Sequence, residues 1–332
     1  MGRANSRSRA VRTGWWWAAG VVVAGALVLG FADILGISRA PILAGVLGPR
    51  NAVTAAAGVG ALVALAAALI RRVRFFAVPI AVGLAVVVAI SAPIVLARGV
   101  VNAQPVPDGD GQVRILSWNT NGDLVPPETI AAEAASVHAN VVVLPDIVSA
   151  DESAIVEAFG RHHLRMVPKS VPDHGEEVLV LTDASLVRRD AANVGAPAGS
   201  ATLSLHPADP GQPELVALHA DQPTLRGNAD WRSELGWVAD RCGHGSTIVA
   251  GDFNATLDEF GSAGIGSCQD SAAAAHAGSV GTWPTAVPTW LAMPIDHILV
   301  TPDWKVDSFT VLTDADASGA RHRPVFAVVS TR

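Results

Sequence analysis

The sequence predicts an α/β fold of the α+β kind, preceded by three transmembrane helices. The first observation is charge: residues 1–100 contain ten arginines and one acidic residue, whereas residues 101–332 contain 13 basic and 29 acidic residues. The second is hydropathy, because the long apolar runs all precede residue 100. This segregation is typical of a membrane anchor attached to an acidic soluble domain. We assign residues 1–100 to the anchor, 101–112 to a linker and 113–332 to the soluble domain.

Three apolar runs in the anchor are long enough to cross a membrane. They cover about residues 15–35, 52–70 and 75–97. A run of about 20 residues spans a hydrocarbon core of about 30 Å, because a helix rises about 1.5 Å per residue. None of the runs has a polar face, which argues against buried helices of a soluble protein. The first run is long and two more follow it, so we expect an uncleaved anchor rather than a signal peptide.

The arginines of the anchor predict its orientation in the plasma membrane. Four precede the first span, and three lie in the short turn between the second and third spans. The loop between the first and second spans has two, and one follows the third span. Because positive residues are enriched in cytoplasmic segments, the N-terminus should be cytoplasmic. We therefore expect a multi-pass membrane protein whose C-terminal domain is extracytoplasmic.

The two cysteines agree with that location. Cys242 and Cys268 both lie in the domain predicted to face an oxidising compartment, where an even number of cysteines favours a disulfide. The bridge would close a loop that contains the stretch 247–254, and in the chain-entropy model it would contribute about 3 kcal/mol. Two buried free thiols are the alternative.

The soluble domain alternates strand-like and helix-like segments. Helix-like segments begin at Pro127, at Glu152 and after Asn228, a residue type favoured at a helix N-cap. Strand-like apolar runs cover residues 113–118, 141–144, 178–181, 215–218, 247–250, 298–300 and 326–329. Polar residues of the kinds used in catalysis lie next to five of these runs: Asn119, Asp146, His219, Asp252 with Asn254, and His322. Ligand sites of layered α/β folds gather at strand ends, so these positions predict one site.

The stretch 247–254 indicates most clearly where that site lies. In an extended backbone, residues two apart point to the same side, so Asp252 and Asn254 would present a carboxylate and a carboxamide side by side. Gly251 permits a close backbone approach beside them. The alternative is an Asx-type turn, in which both side chains bond only to backbone. The eight residues alone leave both interpretations open.

With these residues in place, the domain resembles the endonuclease/exonuclease/phosphatase superfamily of metal-dependent phosphoesterases. The resemblance spans about residues 113–329, and the matching stretches occur in the family's order. They are Leu116-Ser117-Trp118-Asn119, Val143-Leu144-Pro145-Asp146, Leu218-His219, Gly251-Asp252-Phe253-Asn254, Ile295-Asp296-His297 and His322-Arg323-Pro324. The resemblance implies a four-layer α/β sandwich, in which helices flank two mainly antiparallel sheets.

The resemblance also implies a role for each residue in the attack of water on a phosphorus ester. Asn119 and Asp146 would hold Mg²⁺ or Mn²⁺, which prefers hard oxygen ligands and retains several waters. Asp252 would orient the water, and Asn254 and His219 would contact the phosphoryl group. His322, oriented by Asp296, would act as general base or transition-state stabiliser. His297 would point to the opposite face of its strand and is expected to be structural.

Several positions depart from the family's pattern. The metal-binding glutamate is replaced by the shorter Asp146, and the acid that usually precedes the last histidine is replaced by Arg321. Asn121 replaces an acid found in some relatives, and the chain contains no tyrosine. Arg321 would repel a divalent cation, point away from it, or bind a substrate phosphate through its planar guanidinium.

The predicted function is a membrane-anchored extracytoplasmic hydrolase that cleaves a phosphomonoester or a phosphodiester with a divalent metal. The alternative is a catalytically weakened relative that binds a phosphorylated ligand or partner, with Arg321 and Arg323 replacing part of the metal's charge. The acidic balance of the domain does not favour non-specific binding of nucleic acid, which depends on lysine and arginine. The residues 281–294, rich in Trp and Pro, would form either a rim over the site or a packed loop.

Overall fold

The computed structural model describes residues 17, 20–32, 35–173, 176–186, 188–192, 195–197, 200–209, 211–224, 228–261 and 264–332. Within these ranges the strands form two six-stranded sheets. The strands of the first sheet are β1 (Gln112–Ser117), β2 (Val141–Ile147), β3 (Met166–Asp173), β4 (Glu176–Asp183), β11 (Trp304–Val311) and β12 (Val325–Thr331). Their order is β11-β12-β1-β2-β4-β3. Only β1 and β2 run parallel among the neighbouring strands of this sheet.

The second sheet repeats this arrangement. Its strands are β5 (Arg188–Ala192), β6 (Ala201–Pro207), β7 (Glu214–His219), β8 (Thr247–Asp252), β9 (Gln269–Asp270) and β10 (Asp296–Val300). Their order is β5-β6-β7-β8-β10-β9, and β7 and β8 are its parallel pair. Each sheet therefore has one central parallel pair with antiparallel strands on both sides.

The two sheets pack face to face around the main hydrophobic core. Ile115 and Val143 of the first sheet and Ala217, Ala250 and Ile298 of the second belong to this core and are buried. The strands are covered on both faces, which explains why segments such as 141–144 are continuous apolar runs without alternation.

Helices cover the outer face of each sheet. On the first sheet lie α5 (Pro127–Ser136) and α6 (Glu152–Arg161), which bury Ile130 and Phe159. On the second sheet lies α7 (Ala229–Arg241), whose Trp231, Leu235 and Val238 are buried at helical spacing. A short helix, α8 (Ser271–Ala274), is capped by the Asp270 carboxylate. The expected mixed α/β fold with two sheets is confirmed.

The topology brings polar strand ends of both sheets together. The parallel pairs β1–β2 and β7–β8 lead toward Asn119, Asp146, His219 and Asp252 at their C-terminal ends. Antiparallel strands begin where these end: Asp296 of β10 lies opposite Asp252, and Val325 of β12 lies opposite Ser117 of β1. His322, three residues before β12, therefore also lies at this end.

Several details of the secondary structure differ from the sequence-based expectation. Strand β2 continues past Leu144 through Pro145 and Asp146, so Asp146 lies inside the strand rather than after it. Asn228 occupies the N-cap position of α7, but its side chain makes no cap hydrogen bond and donates to the Arg39 carbonyl. Strands β3, β5, β6, β9 and β11 were not predicted, because their sequences contain prolines, charges or too few apolar residues to stand out.

The N-terminal part of the chain contains four described helices. They are α1 (residues 20–30), α2 (Pro41–Leu47), α3 (Arg50–Ala67) and α4 (Arg74–Arg98). By length and composition α3 and α4 can cross a membrane, and they coincide with the second and third predicted spans. Helix α1 is shorter, and parts of the predicted first span, with the N-terminal arginines, lie outside the described residues.

A buried ion-pair cluster fastens the long helices to the soluble domain. The Asp258 carboxylate accepts two hydrogen bonds of 2.8 Å from Arg50, at the start of α3. It accepts two more of 2.8 Å from Arg98, at the end of α4. Burial would raise the pKa of Asp258, but the two guanidinium groups outweigh burial and lower the pKa. The domain-facing ends of both helices are thus fixed beside residue 258.

The predicted disulfide is present. Cys242 follows α7 and bonds to Cys268, which precedes β9. The bridge encloses β8 and the loop after it, and both cysteines are buried. It therefore restrains the segment that carries Asp252 and Asn254.

We expect Asp258→Asn to destabilise the junction between the helices and the domain. The substitution keeps the side chain's size but leaves the buried Arg50 and the partly buried Arg98 beside a neutral group, and breaking a buried pair costs about 3–5 kcal/mol. Thermal unfolding of the full chain in detergent micelles measures the change. Glu157→Gln is the control, because the Glu157–Arg161 pair is exposed and worth less than about 1 kcal/mol. Equal effects of the two substitutions would contradict the prediction.

Candidate active site

The end of β8 provides the central carboxylate of the site. Gly251 has φ 153°, and a Cβ there would lie 1.9 Å from the Leu218 carbonyl oxygen, so only glycine lets β7 and β8 pair this closely. Asp252 follows and is 1% exposed. The strand then turns sharply: Asn254 has φ 45°, and its backbone N–H donates to Asp252 Oδ1 at 2.8 Å.

This turn corrects the expectation of an extended Asp252–Asn254 pair. The backbone adopts the Asx-type turn that was the alternative, and Asn254 Nδ2 donates to the Ala220 carbonyl at 2.9 Å. Asn254 nevertheless lines a large cavity, while Asp252 lies beneath the cavity surface. Asn254 therefore lies at the cavity surface and Asp252 is buried beneath it, so the two side chains do not stand side by side.

Three polar side chains surround the second oxygen of Asp252. Asn119 Nδ2 donates to Asp252 Oδ2 at 2.9 Å. Nε2 of His219 lies 3.9 Å from the same oxygen, and Nε2 of His322 lies 3.8 Å from it. One carboxylate thus connects the strand ends of both sheets.

His322 and Asp296 form a buried pair. Nδ1 of His322 lies 3.0 Å and 3.2 Å from the two carboxylate oxygens of Asp296. The Trp118 indole N–H donates to the His322 carbonyl at 3.0 Å and fixes the backbone of this segment. Because Asp296 engages Nδ1, the other ring nitrogen of His322 is directed toward Asp252 and the cavity.

The carboxylates control the protonation of His322. Burial alone would lower the pKa of His322, but the charges of Asp296 and Asp252 outweigh burial and raise the pKa to about 9. Burial raises the pKa of Asp252, although the His322 imidazolium opposes this change. At neutral pH His322 is therefore a cation and a hydrogen-bond donor, which suits a transition-state stabiliser or proton donor better than a general base.

Asp146 carries the feature expected of a metal ligand. Its Oδ1 atom is buried and has no hydrogen-bond partner, while the residue lines the cavity. An unpaired buried carboxylate oxygen costs free energy unless a cation or water satisfies it. Asn119 Oδ1 accepts from the Asn121 N–H at 2.9 Å and retains a second lone pair. The donor set is one carboxylate and one amide oxygen, which fits a hard divalent cation.

A second group of possible ligands consists of Asp252, Asp296 and His322, whose donor atoms lie within 4.8 Å of one another. Hydrogen bonds between His322 and Asp296 join this group in the structure. The site therefore offers two sets of possible metal ligands: Asn119 with Asp146, and this buried group.

Arg321 lines the same cavity as Asn119 and Asp146. Its backbone N–H donates to Asn121 Oδ1 at 2.7 Å, so the loop after β1 holds the segment before β12. The side chain is exposed and lines the cavity. Asn121 itself has φ 54°, a conformation that asparagine tolerates better than most residues. The guanidinium is thus available to an anionic group in the cavity.

Arg323 is placed differently from the sequence-based alternative, which gave it a charge-replacing role. It is 2% exposed, pairs with Asp316 and donates to carbonyls of Thr285 and Val287. Arg323 therefore holds the loop 283–294 in place and does not face a ligand. His297 points away from the site, hydrogen bonded to Asp270 and to the Ala255 carbonyl.

The cavity has a volume of about 870 Å³ and two chemically distinct sides. One side is polar and carries Asn119, Asp146, His219, Asn254, Arg321 and His322. The other side is mostly apolar and comes from α2, the α2–α3 turn and the loop 283–294. Of the two interpretations of this segment, the structure supports a rim over the site.

The sequence did not predict the residues that fix the backbone of the site through hydrogen bonds. Trp118 positions His322, and Thr282 Oγ1 accepts from the backbone N–H groups of Ile295 and Asp296. The contribution of Ala44, Gly45 and Pro49 to the cavity was also missed. Nothing in their local sequence is polar or periodic, so only the docking of α2 on the domain identifies them.

The fold and the site define a class of hydrolytic enzymes that act on phosphate esters. Residues 116–325 match the Endonuclease/Exonuclease/phosphatase family, and the chain belongs to this family. Members of the family are phosphoesterases and nucleases that depend on divalent metals. Comparison with curated proteins finds no match.

Solved structures show the same fold at low sequence identity. An endonuclease/exonuclease/phosphatase family protein from Bacteroides thetaiotaomicron is 18% identical with a TM-score of 0.51, covering 68% of this chain and 98% of that chain. D. rerio TDP2, humanized by 14 mutations, is 15% identical with a TM-score of 0.55, covering 67% and 100%. The mannosyl-6-phosphatase of Bacteroides thetaiotaomicron is 16% identical with a TM-score of 0.51, covering 65% and 99%.

We expect Asp296→Asn to lower the pKa of His322 from about 9 toward the ordinary value of about 6.5, because the nearest negative charge is removed. Histidine-selective NMR titration of the full chain in micelles measures this shift. The folded-state pKa of His322 lies above its unfolded value. Its stabilisation is therefore complete below about pH 6.5 and is lost as the pH rises through about 9. Asp314→Asn is the control, because Asp314 is exposed and does not line the cavity, and an unchanged His322 pKa in Asp296→Asn would contradict the assignment.

Proposed function

We propose that this protein is a membrane-anchored extracytoplasmic phosphoesterase that hydrolyses a phosphomonoester or phosphodiester with Mg²⁺ or Mn²⁺. The observation that carries the proposal is the convergence of His322, Asp296, Asp252 and His219 beside an unsatisfied oxygen of Asp146 on one cavity. A purely structural domain has no need to bury two carboxylates against two histidines. Buried titratable groups in a cavity are typical of catalytic sites.

Each residue of the site has a separate role in the proposed hydrolysis. Asp252 accepts a hydrogen bond from the attacking water, and its own position is fixed by Asn119 and the Asn254 N–H. The protonated His322 donates to a phosphoryl oxygen or to the leaving oxygen, and Asp296 stabilises its charge. Asn254 has an amide hydrogen that the Ala220 carbonyl does not use, and His219 lies on the same wall.

Asn119 and Asp146 would hold the divalent ion. When bound, the ion supplies positive charge that offsets the negative charge developing on the phosphoryl group. The Asp146 side chain is shorter than glutamate, so it fixes where the ion can sit relative to Asn119. Arg321 lies on the same cavity and adds a second cation that can bind a phosphoryl oxygen through its planar donors.

The proposed location rests on the anchor and on the disulfide. Helices α3 and α4 have the length and composition of membrane spans, and the arginine distribution favours a soluble domain outside the cytoplasm. The Cys242–Cys268 bridge is typical of proteins in oxidising compartments. Both observations favour an extracytoplasmic domain.

Purified full-length protein should hydrolyse an aryl phosphate or a bis-aryl phosphodiester only when Mg²⁺ or Mn²⁺ is added. His322→Ala should lower kcat by about 10²–10⁴-fold, because it removes the proton donor. His138→Ala is the matched control, since His138 is exposed and distant from the cavity. The absence of metal-dependent turnover in the wild type, or full activity of His322→Ala, would refute the proposed enzyme.

Asp146→Asn should weaken metal binding, because the ion loses its carboxylate ligand while the side chain keeps its size. Binding of Mn²⁺ followed by electron paramagnetic resonance measures this directly, independently of turnover. Asp252→Asn provides a comparison, since Asp252 is assigned to the water and not to the ion. Equal loss of Mn²⁺ affinity in both variants would move the metal to the Asp252–Asp296–His322 group.

The alternative, a weakened relative that binds phosphorylated ligands, rests on Arg321. If Arg321 contacts the phosphoryl group of a substrate, Arg321→Gln should raise KM by about tenfold or more, and Arg321→Asp should raise it further. Steady-state kinetics on the same esters measure these changes. A large gain of activity in Arg321→Asp would instead show that arginine suppresses metal-dependent catalysis, and would favour the alternative.

A further inference from the structure

One wall of the active-site cavity is built by the helical anchor. Ala44 and Gly45 of α2 and Pro49 of the following turn line the same cavity as His322 and Asp146. Arg50, the first residue of α3, is adjacent to this wall and is held by Asp258. The wall therefore has a fixed position relative to the catalytic residues.

The cavity wall lies at the domain-facing ends of α3 and α4, which coincide with the second and third predicted membrane spans. Arg50 starts α3 and Arg98 ends α4, and both are bound to the same carboxylate. From this junction α3 and α4 extend away from the domain with exposed apolar side chains, including Leu62 of α3 at 69% and Val82 of α4 at 46%. Helices with this surface require a lipid environment. The cavity is thus within about one helical turn of the expected membrane boundary.

Exposed apolar side chains also lie on three segments next to this boundary: α2, the residues after α4, and the loop 283–294. Ile42 of α2 is 74% exposed, Val101 after α4 is 58% exposed, and Trp290 of the rim loop is 59% exposed. Trp290 lines a groove together with Leu96 of α4, so the rim loop lies against the top of the helical pair. Tryptophan is enriched at the interface between lipid and water. The rim is therefore suited to lie at the level of the lipid headgroups.

The lining of the cavity matches an amphipathic ligand better than a polyanion. Its apolar lining includes Val287, Leu291 and Met293, in the same cavity as the polar catalytic residues. Among the described residues that line it, Arg321 is the single lysine or arginine. A polynucleotide is held through several phosphate contacts to basic residues, which this surface does not provide.

From this juxtaposition we infer that the substrate is a phosphate ester of a membrane lipid, taken from the leaflet next to the domain. The headgroup phosphate occupies the polar side, and the apolar chain nearest the ester lies along α2 and the rim loop toward the bilayer. Water adds its oxygen to phosphorus and the ester P–O bond breaks. One proton of the water is transferred, directly or through His322, to the leaving oxygen. The inference rests on the proposed phosphoesterase function and names its substrate class.

The experiment compares lipid and soluble esters that share a headgroup, using the full chain reconstituted in phosphatidylcholine vesicles with Mg²⁺ or Mn²⁺. The lipid probes are dioleoyl phosphatidic acid, a monoester, and dioleoyl phosphatidylglycerol, a diester. Their soluble counterparts are glycerol 3-phosphate and glycerophosphoglycerol, and single-stranded oligonucleotide is included as a polyanion. We expect kcat/KM for one of the lipids to exceed that of its soluble counterpart by about tenfold or more, which corresponds to about 1.4 kcal/mol of binding by the apolar part.

Variants of the apolar wall test the location of the lipid chain. Leu291→Gln, in the cavity lining, and Trp290→Ser, in the adjacent groove against α4, should each reduce the ratio of lipid to soluble turnover, because they place polar groups or remove contact area beside the expected chain. Val167→Gln is the control, since Val167 is an exposed apolar residue on the edge strand β3 and does not line the cavity. The ratio should be unchanged in the control.

The outcomes separate the two proposals. If soluble esters or the oligonucleotide are hydrolysed at least as well as the lipids, the phosphoesterase function stands and the lipid inference is refuted. A preference for lipid that both wall variants leave unchanged also refutes the placement of the chain along α2 and the rim loop. If no ester of either kind is hydrolysed with metal present, both proposals fall together.

Discussion

The structure of the site depends on one buried carboxylate. Asp252 is almost inaccessible to solvent, yet its two oxygens contact the Asn254 N–H, the Asn119 amide and the imidazoles of His219 and His322. A buried carboxylate is tolerated only when such partners compensate for lost hydration. The strand ends of both sheets are therefore constrained to meet at this point. Gly251 makes this meeting possible, because any Cβ there would collide with the neighbouring strand.

The same clustering determines the chemistry of the site. Two carboxylates flank His322 and keep it protonated at neutral pH, which supplies a proton donor and a positive charge for a phosphoryl group. The charge around Asp146 differs from that around His322. One carboxylate, Asp146, lies on the same cavity as the guanidinium of Arg321. A site with fewer acids holds a divalent ion less strongly but repels a phosphate ester less.

The junction at Asp258 gives the anchor a role beyond attachment. Two arginines from different helices bind one carboxylate of the domain, so the helices and the cavity are held in one arrangement. A flexible tether would leave the cavity open on that side. Here α2 closes it with small residues, Ala44 and Gly45, which bring the backbone close to the site without filling it. Adjacent Glu259, whose pKa burial raises to about 8, lines the same wall and adds little negative charge there at neutral pH.

The sequence alone determined the positions of α3 and α4, the disulfide and the polar residues at the ends of the central strands. These features follow from local properties: long apolar runs, arginine bias, cysteine number, and polar residues next to buried strands. The tertiary structure decided how those residues meet. The sequence left open whether Asp252 and Asn254 stand side by side or form an Asx-type turn, and in the structure the chain turns at Asn254. The alternative function gave Arg323 a role facing a ligand, but Arg323 is buried against Asp316 and the rim loop. The contribution of Ala44 and Gly45 to the cavity also required the structure. Contacts between segments about 200 residues apart depend on how sheets and helices pack, and no local sequence pattern records them.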